Sequence, residues 1–96
     1  MASARTARVL PPNTATTVVE ISGEPHPSVA ISGDDLHRLV VDARRALALL
    51  YAGDGNSCAW MLDDVVGRLT DLRSDYETAM RIEGRMMPYV PGRDRF

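Results

Sequence analysis

Two short stretches of alternating polar and apolar residues lie near the start of the chain. Residues 17–22 and 28–32 are rich in β-branched side chains, and Gly23, Pro25 and Pro27 lie between them. Alternation with a period of two is typical of strands that bury one face. We therefore predict a two-stranded β-hairpin closed by a five-residue turn.

The same alternation predicts which face of this hairpin is buried. Because successive side chains of a strand point to opposite faces, the register decides which of them meet. A five-residue turn puts the β-branched apolar side chains of both strands on one face. The predicted pairs are Ile21 with Val29 and Val19 with Ile31.

Two amphipathic helices are predicted after the hairpin. Apolar residues recur every three or four positions over residues 34–52 and again over residues 58–83. Ser32 is a capping residue before the first helix, while Gly84 and then Pro88 end the second. Since the connection is short, the helices are expected to run antiparallel. The predicted fold class is α+β, a β-hairpin followed by an α-hairpin (ββαα).

The apolar stripe of each predicted helix indicates a contact with another helix. In the second helix the steps alternate between three and four residues, which is the heptad spacing of a helix–helix seam. The predicted seam residues are Leu62, Val65, Leu69, Leu72, Tyr76 and Ala79. The first helix carries a wider stripe made of Leu36, Leu39, Val40, Ala43, Ala46, Leu47, Leu50 and Tyr51.

The two ends of the chain differ from this patterned middle. Residues 1–15 have no hydrophobic period, and residues 88–96 are too rich in proline for a helix. We predict a single domain over residues 16–87, with an N-terminal arm and an extended C-terminal tail. The first segment has arginine but no acid before Glu20, so a targeting segment remains an alternative for it.

Composition excludes several kinds of chemistry. The chain has 96 residues and a net charge of −2, and all 11 of its basic residues are arginine. Without lysine there is no side-chain amine for a Schiff base. A single cysteine excludes an intramolecular disulfide and a cysteine-only zinc site. No apolar run approaches the roughly 20 residues of a membrane span. We predict a cytoplasmic protein with no cofactor that is not an enzyme.

The few candidate reactive residues have simpler explanations. Asp34 and His37 have a spacing that could hold a metal ion, with His26 as a third ligand, but Asp34 also suits the start of a helix. Cys58 projects toward the predicted seam, so we expect a buried side chain rather than a nucleophile. These residues therefore predict no metal or catalytic site.

A protein partner is predicted because this fold has little core of its own. A two-stranded hairpin is marginal in water, and Trp60 projects away from the predicted seam. We predict a noncatalytic interaction protein, either a homodimer through the second helix or hairpin edge, or a small subunit of a larger complex. The predicted partner-binding residues are Trp60, Ile82, Tyr89, Val90, Arg93, Arg95 and Phe96.

Arginine at both ends supports an alternative function. A nucleic-acid-binding regulator could use Arg5, Arg8, Arg93 and Arg95 for phosphate contacts, which position a protein without reading sequence. The net negative charge of the chain disfavours this alternative.

Overall fold

The computed structural model describes residues 5–92, which form three strands followed by two helices. In chain order these are β1 (Ala7–Leu10), β2 (Thr17–Ile21), β3 (Ser28–Ala30), α1 (Gly33–Tyr51) and α2 (Gly55–Ile82). The strands form one antiparallel sheet with β2 in the centre. The α+β class is thus confirmed, and the predicted two-stranded hairpin is corrected to a three-stranded sheet.

The additional strand lies within the segment predicted to be an arm. β1 pairs with β2 so that Arg8 lies opposite Glu20 and Leu10 opposite Val18. Leu10 is almost completely buried, although its neighbour Val9 is exposed. The prediction failed because four residues are too few to show a period, and strand pairing depends on a partner distant in sequence.

The register between β2 and β3 also differs from the prediction. Val19 pairs with Ser28 rather than with Ile31, and Val18 pairs with Val29. Because the displacement is three residues, an odd number, the two faces of β2 exchange roles. Val18 is consequently the buried side chain, whereas Val19 is only partly covered.

The last two residues of β2, Glu20 and Ile21, pair with β1 but not with β3. The backbone N–H of Ser22 donates to the carbonyl of Thr6, and the N–H of Thr6 donates to the Ser22 hydroxyl. The chain then turns at Gly23, whose φ of 86° favours glycine. This end of β2 therefore extends the β1 ladder, and the connection to β3 is longer than the predicted turn.

The chain divides into two compact units. Within the described residues, the sheet unit comprises residues 5–30 and 73–92, and the hairpin unit comprises residues 31–72. The helix α2 contributes its first part to the hairpin unit and its last part to the sheet unit. The predicted limits of the single domain, residues 16 and 87, stay a prediction.

The core of the sheet unit combines the sheet with the last turns of α2. Its buried side chains are Leu10, Val18, Tyr76, Ala79 and Met80, and Val29 and Met87 pack against them. The hydroxyl of Tyr76 donates to the carbonyl of Pro27 at 3.1 Å, so this buried polar group is satisfied. This core depends on β1 as much as on the two predicted strands.

The hairpin unit has a much smaller buried interior. Across residues 31–72, all of them described, the buried side chains are Ala46, Cys58 and Val65. The predicted burial of Cys58 is confirmed. The large side chains Leu39, Leu49, Met61 and Leu72 are only half-buried, so the contacts between the two helices bury less apolar surface than a complete core would.

Polar groups fix the starts of both helices. The hydroxyl of Ser32 accepts from the N–H of Asp35 at 3.1 Å, which confirms the predicted cap of α1. The carboxylate of Asp54 accepts from the N–H of Ser57 at 3.1 Å, and this bond lowers the pKa of Asp54. Asp54 therefore caps α2, which begins at Gly55, three residues before the predicted start.

The end of α2 follows the predicted pattern. Gly84 has a φ of 66°, and the N–H of Arg85 donates to the carbonyl of Met80. This closure satisfies carbonyls at the end of the helix and is typical of glycine caps. None of the described helices is long and apolar enough to cross a membrane.

Candidate interaction surface

The hairpin unit carries a continuous stripe of exposed apolar side chains on each helix. The stripe of α1 consists of Leu36, Val40, Ala43, Leu47 and Leu50, and the stripe of α2 consists of Ala59, Leu62, Val66 and Leu69. Successive members are three or four residues apart, which is heptad spacing. The leucines and valines among them each leave 44–57% of their surface exposed.

Helical projection places the two stripes on the same face of the hairpin. With about 100° per residue, the α1 stripe is centred about 80° from the buried Ala46, and the α2 stripe about 60° from the buried Cys58, in the same rotational sense. In an antiparallel helix pair, turning each helix about its own axis by a similar angle and in the same sense leads from the contact line to the same side of the pair. We call this set of nine residues the apolar face.

The opposite side of the hairpin is polar and internally paired. Arg68 of α2 binds the carboxylate of Asp42 of α1 at 2.5 Å and that of Asp64 at 2.9 Å. The hydrogen bond with Asp42 raises the pKa of Arg68. These ion pairs connect the two helices on one side only, so the apolar face has no comparable cover.

The predicted partner residue Trp60 lies outside the apolar face. Its indole is 80% exposed, and it projects about 140° from the centre of the α2 stripe. Together with Ala59 and Asp63 it lines a shallow, open depression. Trp60 thus projects away from the seam, as predicted, and its role in binding stays a prediction.

The other predicted partner residues belong to the C-terminal part of the chain. Ile82 is exposed at the end of α2, in the sheet unit, and so is not part of the apolar face. Tyr89 and Val90 line a small apolar hollow in the segment 86–91. Arg93, Arg95 and Phe96 lie outside the described residues.

The segment 86–91 docks on its own chain. The hydroxyl of Tyr89 donates to the carboxylate of Glu77 at 2.8 Å, and Met87 packs against the core of the sheet unit. Burial, together with this hydrogen bond, raises the pKa of Tyr89 to about 12. The extended segment predicted from its prolines thus has an intramolecular contact that the sequence did not identify.

Alkaline titration will test this docking. Because the pKa of Tyr89 is raised in the folded state, the contact stabilises the segment fully below pH 10 and loses its effect as the pH rises from 10 toward about 12. We expect the absorbance of phenolate to show a late ionisation step near pH 12 that is absent in Tyr89→Phe. In Glu77→Gln the same step should move to lower pH.

Tyr76 provides the comparison for that titration. Burial also raises its pKa, so its ionisation is delayed too. A latest step that persists unchanged in Tyr89→Phe would therefore belong to another tyrosine and would contradict the docking of Tyr89.

The arginines of the N-terminal segment bind carboxylates of the sheet unit. Arg8 binds Glu83 at 2.9 Å and Glu20 at 3.4 Å, and Arg85 binds Glu20 from the other side. The hydrogen bond from Arg85 lowers the pKa of Glu20. Arg5 similarly binds Glu24 at 2.7 Å. Phosphate contacts by Arg5 and Arg8 would have to replace these bonds.

The described residues contain no cluster of metal-binding side chains. No group of three or more histidine, cysteine, aspartate or glutamate side chains within residues 5–92 could hold a metal ion. Cys58 is buried in the hairpin unit, whereas His26 belongs to the sheet unit.

The predicted stripes contain most residues of the apolar face, although not Ala59, but they do not separate exposed residues from buried ones. The predicted α1 stripe combines residues turned toward the interior, such as Ala46, with exposed ones, such as Leu36 and Leu47. Its width was the available signal, because one neighbouring helix covers only a narrow seam. The predicted α1 stripe therefore consists of two adjacent seams, of which one faces the interior of the hairpin unit and the other is exposed.

Comparison with known proteins identifies a family for the chain. A search of curated proteins finds no match, and a search of solved structures finds none. A family model matches residues 2–89, which is nearly the whole chain. The chain therefore belongs to a family of unknown function, DUF6959.

Proposed function

We propose that this chain is a noncatalytic interaction protein that binds another protein chain through the apolar face of its hairpin unit. The observation that carries the proposal is the regular, exposed heptad stripe on both helices. Contiguous apolar surface of this kind on a small protein is typical of a binding surface, because its contact with water is unfavourable. A cytoplasmic location accords with a chain whose single cysteine, Cys58, cannot form an intramolecular disulfide.

The thin interior of the hairpin unit also supports this proposal. With only Ala46, Cys58 and Val65 buried in residues 31–72, cover over the apolar face would supply apolar burial that the helices do not give each other. Heptad stripes match the grooves of another helical surface, since side chains then interlock along the whole contact. The preferred partner is consequently helical.

Site-specific photocrosslinking will test this function. A photoreactive residue placed at Leu47, within the α1 stripe, should give a covalent adduct with a partner chain when the producing cells are irradiated. The matched control is the neighbouring position Arg45, which projects to the other side of α1. We expect adducts from position 47 to exceed those from position 45 by at least about tenfold.

The formation of an adduct shows that an interaction exists, and the mass of the adduct shows which partner chain is bound. Adducts of any single mass that form from Leu47 and not from Arg45 support the function. Equal adducts from both positions, or none from either, would contradict it.

A further inference from the structure

We infer that the occupant of the apolar face is a second copy of this chain, bound so that α1 of one copy lies against α2 of the other. The inference rests on the proposed function and adds to it the partner and the arrangement. Both stripes have the same heptad spacing, so each matches the other as well as it could match a foreign helix. The result would be a four-helix bundle around a twofold axis.

The apolar face is smaller than a standard interface. Its α1 stripe spans residues 36–50, about 21 Å, and its α2 stripe spans residues 59–69, about 15 Å. With helices about 10 Å apart the face is roughly 20 Å wide, so its flat area is on the order of 400 Å². This is about half of the 800 Å² per partner that a standard protein interface buries, so side chains flanking the stripes must contribute to the contact.

Charges at the two outer edges of the apolar face are complementary. Arg44 projects at the outer edge of the α1 stripe, and Asp63 projects at the outer edge of the α2 stripe. Both side chains are exposed, and none of the ion pairs found among residues 5–92 involves either of them. One edge of the face is thus basic and the other acidic, which is the pattern of a surface that pairs with itself after a half-turn.

The antiparallel arrangement of α1 and α2 places Arg44 and Asp63 at nearly the same position along the axis of the hairpin. Asp42 binds Arg68, and Asp35 and Asp71 line one pocket, so residue 44 lies level with about residue 64. Rotation about a twofold axis parallel to the helices does not shift any residue along the helix direction. It places α1 of each copy against α2 of the other copy. Arg44 of one copy then meets Asp63 of the other, and this happens twice in the dimer.

The alternative twofold arrangement brings like charges together. An axis across the helices would put α1 against α1 and α2 against α2. The two basic edges would then face each other, as would the two acidic edges, which is unfavourable. The distribution of Arg44 and Asp63 thus favours the arrangement of α1 against α2.

Charge exchange in the purified full-length chain tests this arrangement. Sedimentation velocity and light scattering should show a dimer, and Arg44→Asp should raise its dissociation constant roughly tenfold, as should Asp63→Arg. The double variant Arg44→Asp/Asp63→Arg restores both pairs with reversed sign, so its constant should return to within about threefold of the original. The matched control Arg45→Asp, on the other side of α1, should leave the constant unchanged.

Helix content by circular dichroism shows that each variant is folded before its mass is interpreted. A dimer that forms but fails to recover in the double variant would overturn the arrangement of α1 against α2. A monomer at all concentrations, with crosslinks from Leu47 to a chain of different mass, would overturn the second copy as occupant and leave the proposed function standing. A monomer without such crosslinks would overturn both.

Discussion

Replacing Leu10 with alanine should destabilise the sheet unit by about 2–5 kcal/mol. Leu10 is 1% exposed and lies among Val18, Tyr76 and Met80, so its removal leaves a cavity beneath the sheet. The loss combines the transfer free energy of the missing atoms with the cost of this cavity. Denaturation by urea, followed by circular dichroism, measures the change in the free energy of unfolding.

Val9 provides the control for this experiment. It precedes Leu10 in β1 but is 48% exposed, because successive side chains of a strand point to opposite faces. We expect Val9→Ala to cost less than about 1 kcal/mol. If residues 1–15 were an arm outside the core, both substitutions would be mild, and that result would contradict the three-stranded sheet.

The helices are largely predictable because hydrogen bonds between residues close in sequence determine where they begin and end. Ser32 and Gly84 act through bonds to residues a few positions away, so their identity and spacing are visible in the sequence. The predicted start of α2 is three residues late because Gly55, Asn56 and Ser57 are residue types that are common in turns. Their own weak preference for a helix is offset by the cap at Asp54.

Strand pairing was less predictable, because it depends on contacts between distant residues. The alternation of β2 is compatible with burial of either Val18 or Val19, and only the partners decide between them. Once β1 is added, Leu10 pairs with Val18, and both reach the side chains of α2. A segment as short as β1 gives no periodic signal of this preference.

The sequence predicted most of the apolar residues of the candidate surface, but it did not predict that they remain exposed. Heptad spacing identified Leu62 and Leu69 as contact residues, yet both remain exposed in the structure. A sequence shows that a side chain favours burial, but it does not show whether its own chain supplies the cover. Trp60 differs, since it projects away from the stripe, as predicted, and the structure leaves it exposed.

A second large effect should appear in the hydrogen exchange of α1. If the apolar face is covered by a second copy, dimer formation stabilises the hairpin unit by RT ln(1 + [L]/Kd), where [L] is the concentration of free monomer, which is about 2.7 kcal/mol when [L] is 100 times the dissociation constant. Amide exchange in α1 should therefore slow about 100-fold between a dilute monomer and that concentration. Exchange measured by mass spectrometry at several concentrations gives this ratio directly.

The two units should respond differently because their interiors differ. The hairpin unit buries only Ala46, Cys58 and Val65 within residues 31–72, so it is expected to open locally, whereas β2 belongs to the larger core of the sheet unit. We expect exchange in β2 to be independent of concentration, and we expect Leu47→Gln to abolish the effect in α1. An equal slowing in both units would instead indicate that the chain opens as a whole, and no slowing in either would show that contact with a second copy does not stabilise α1.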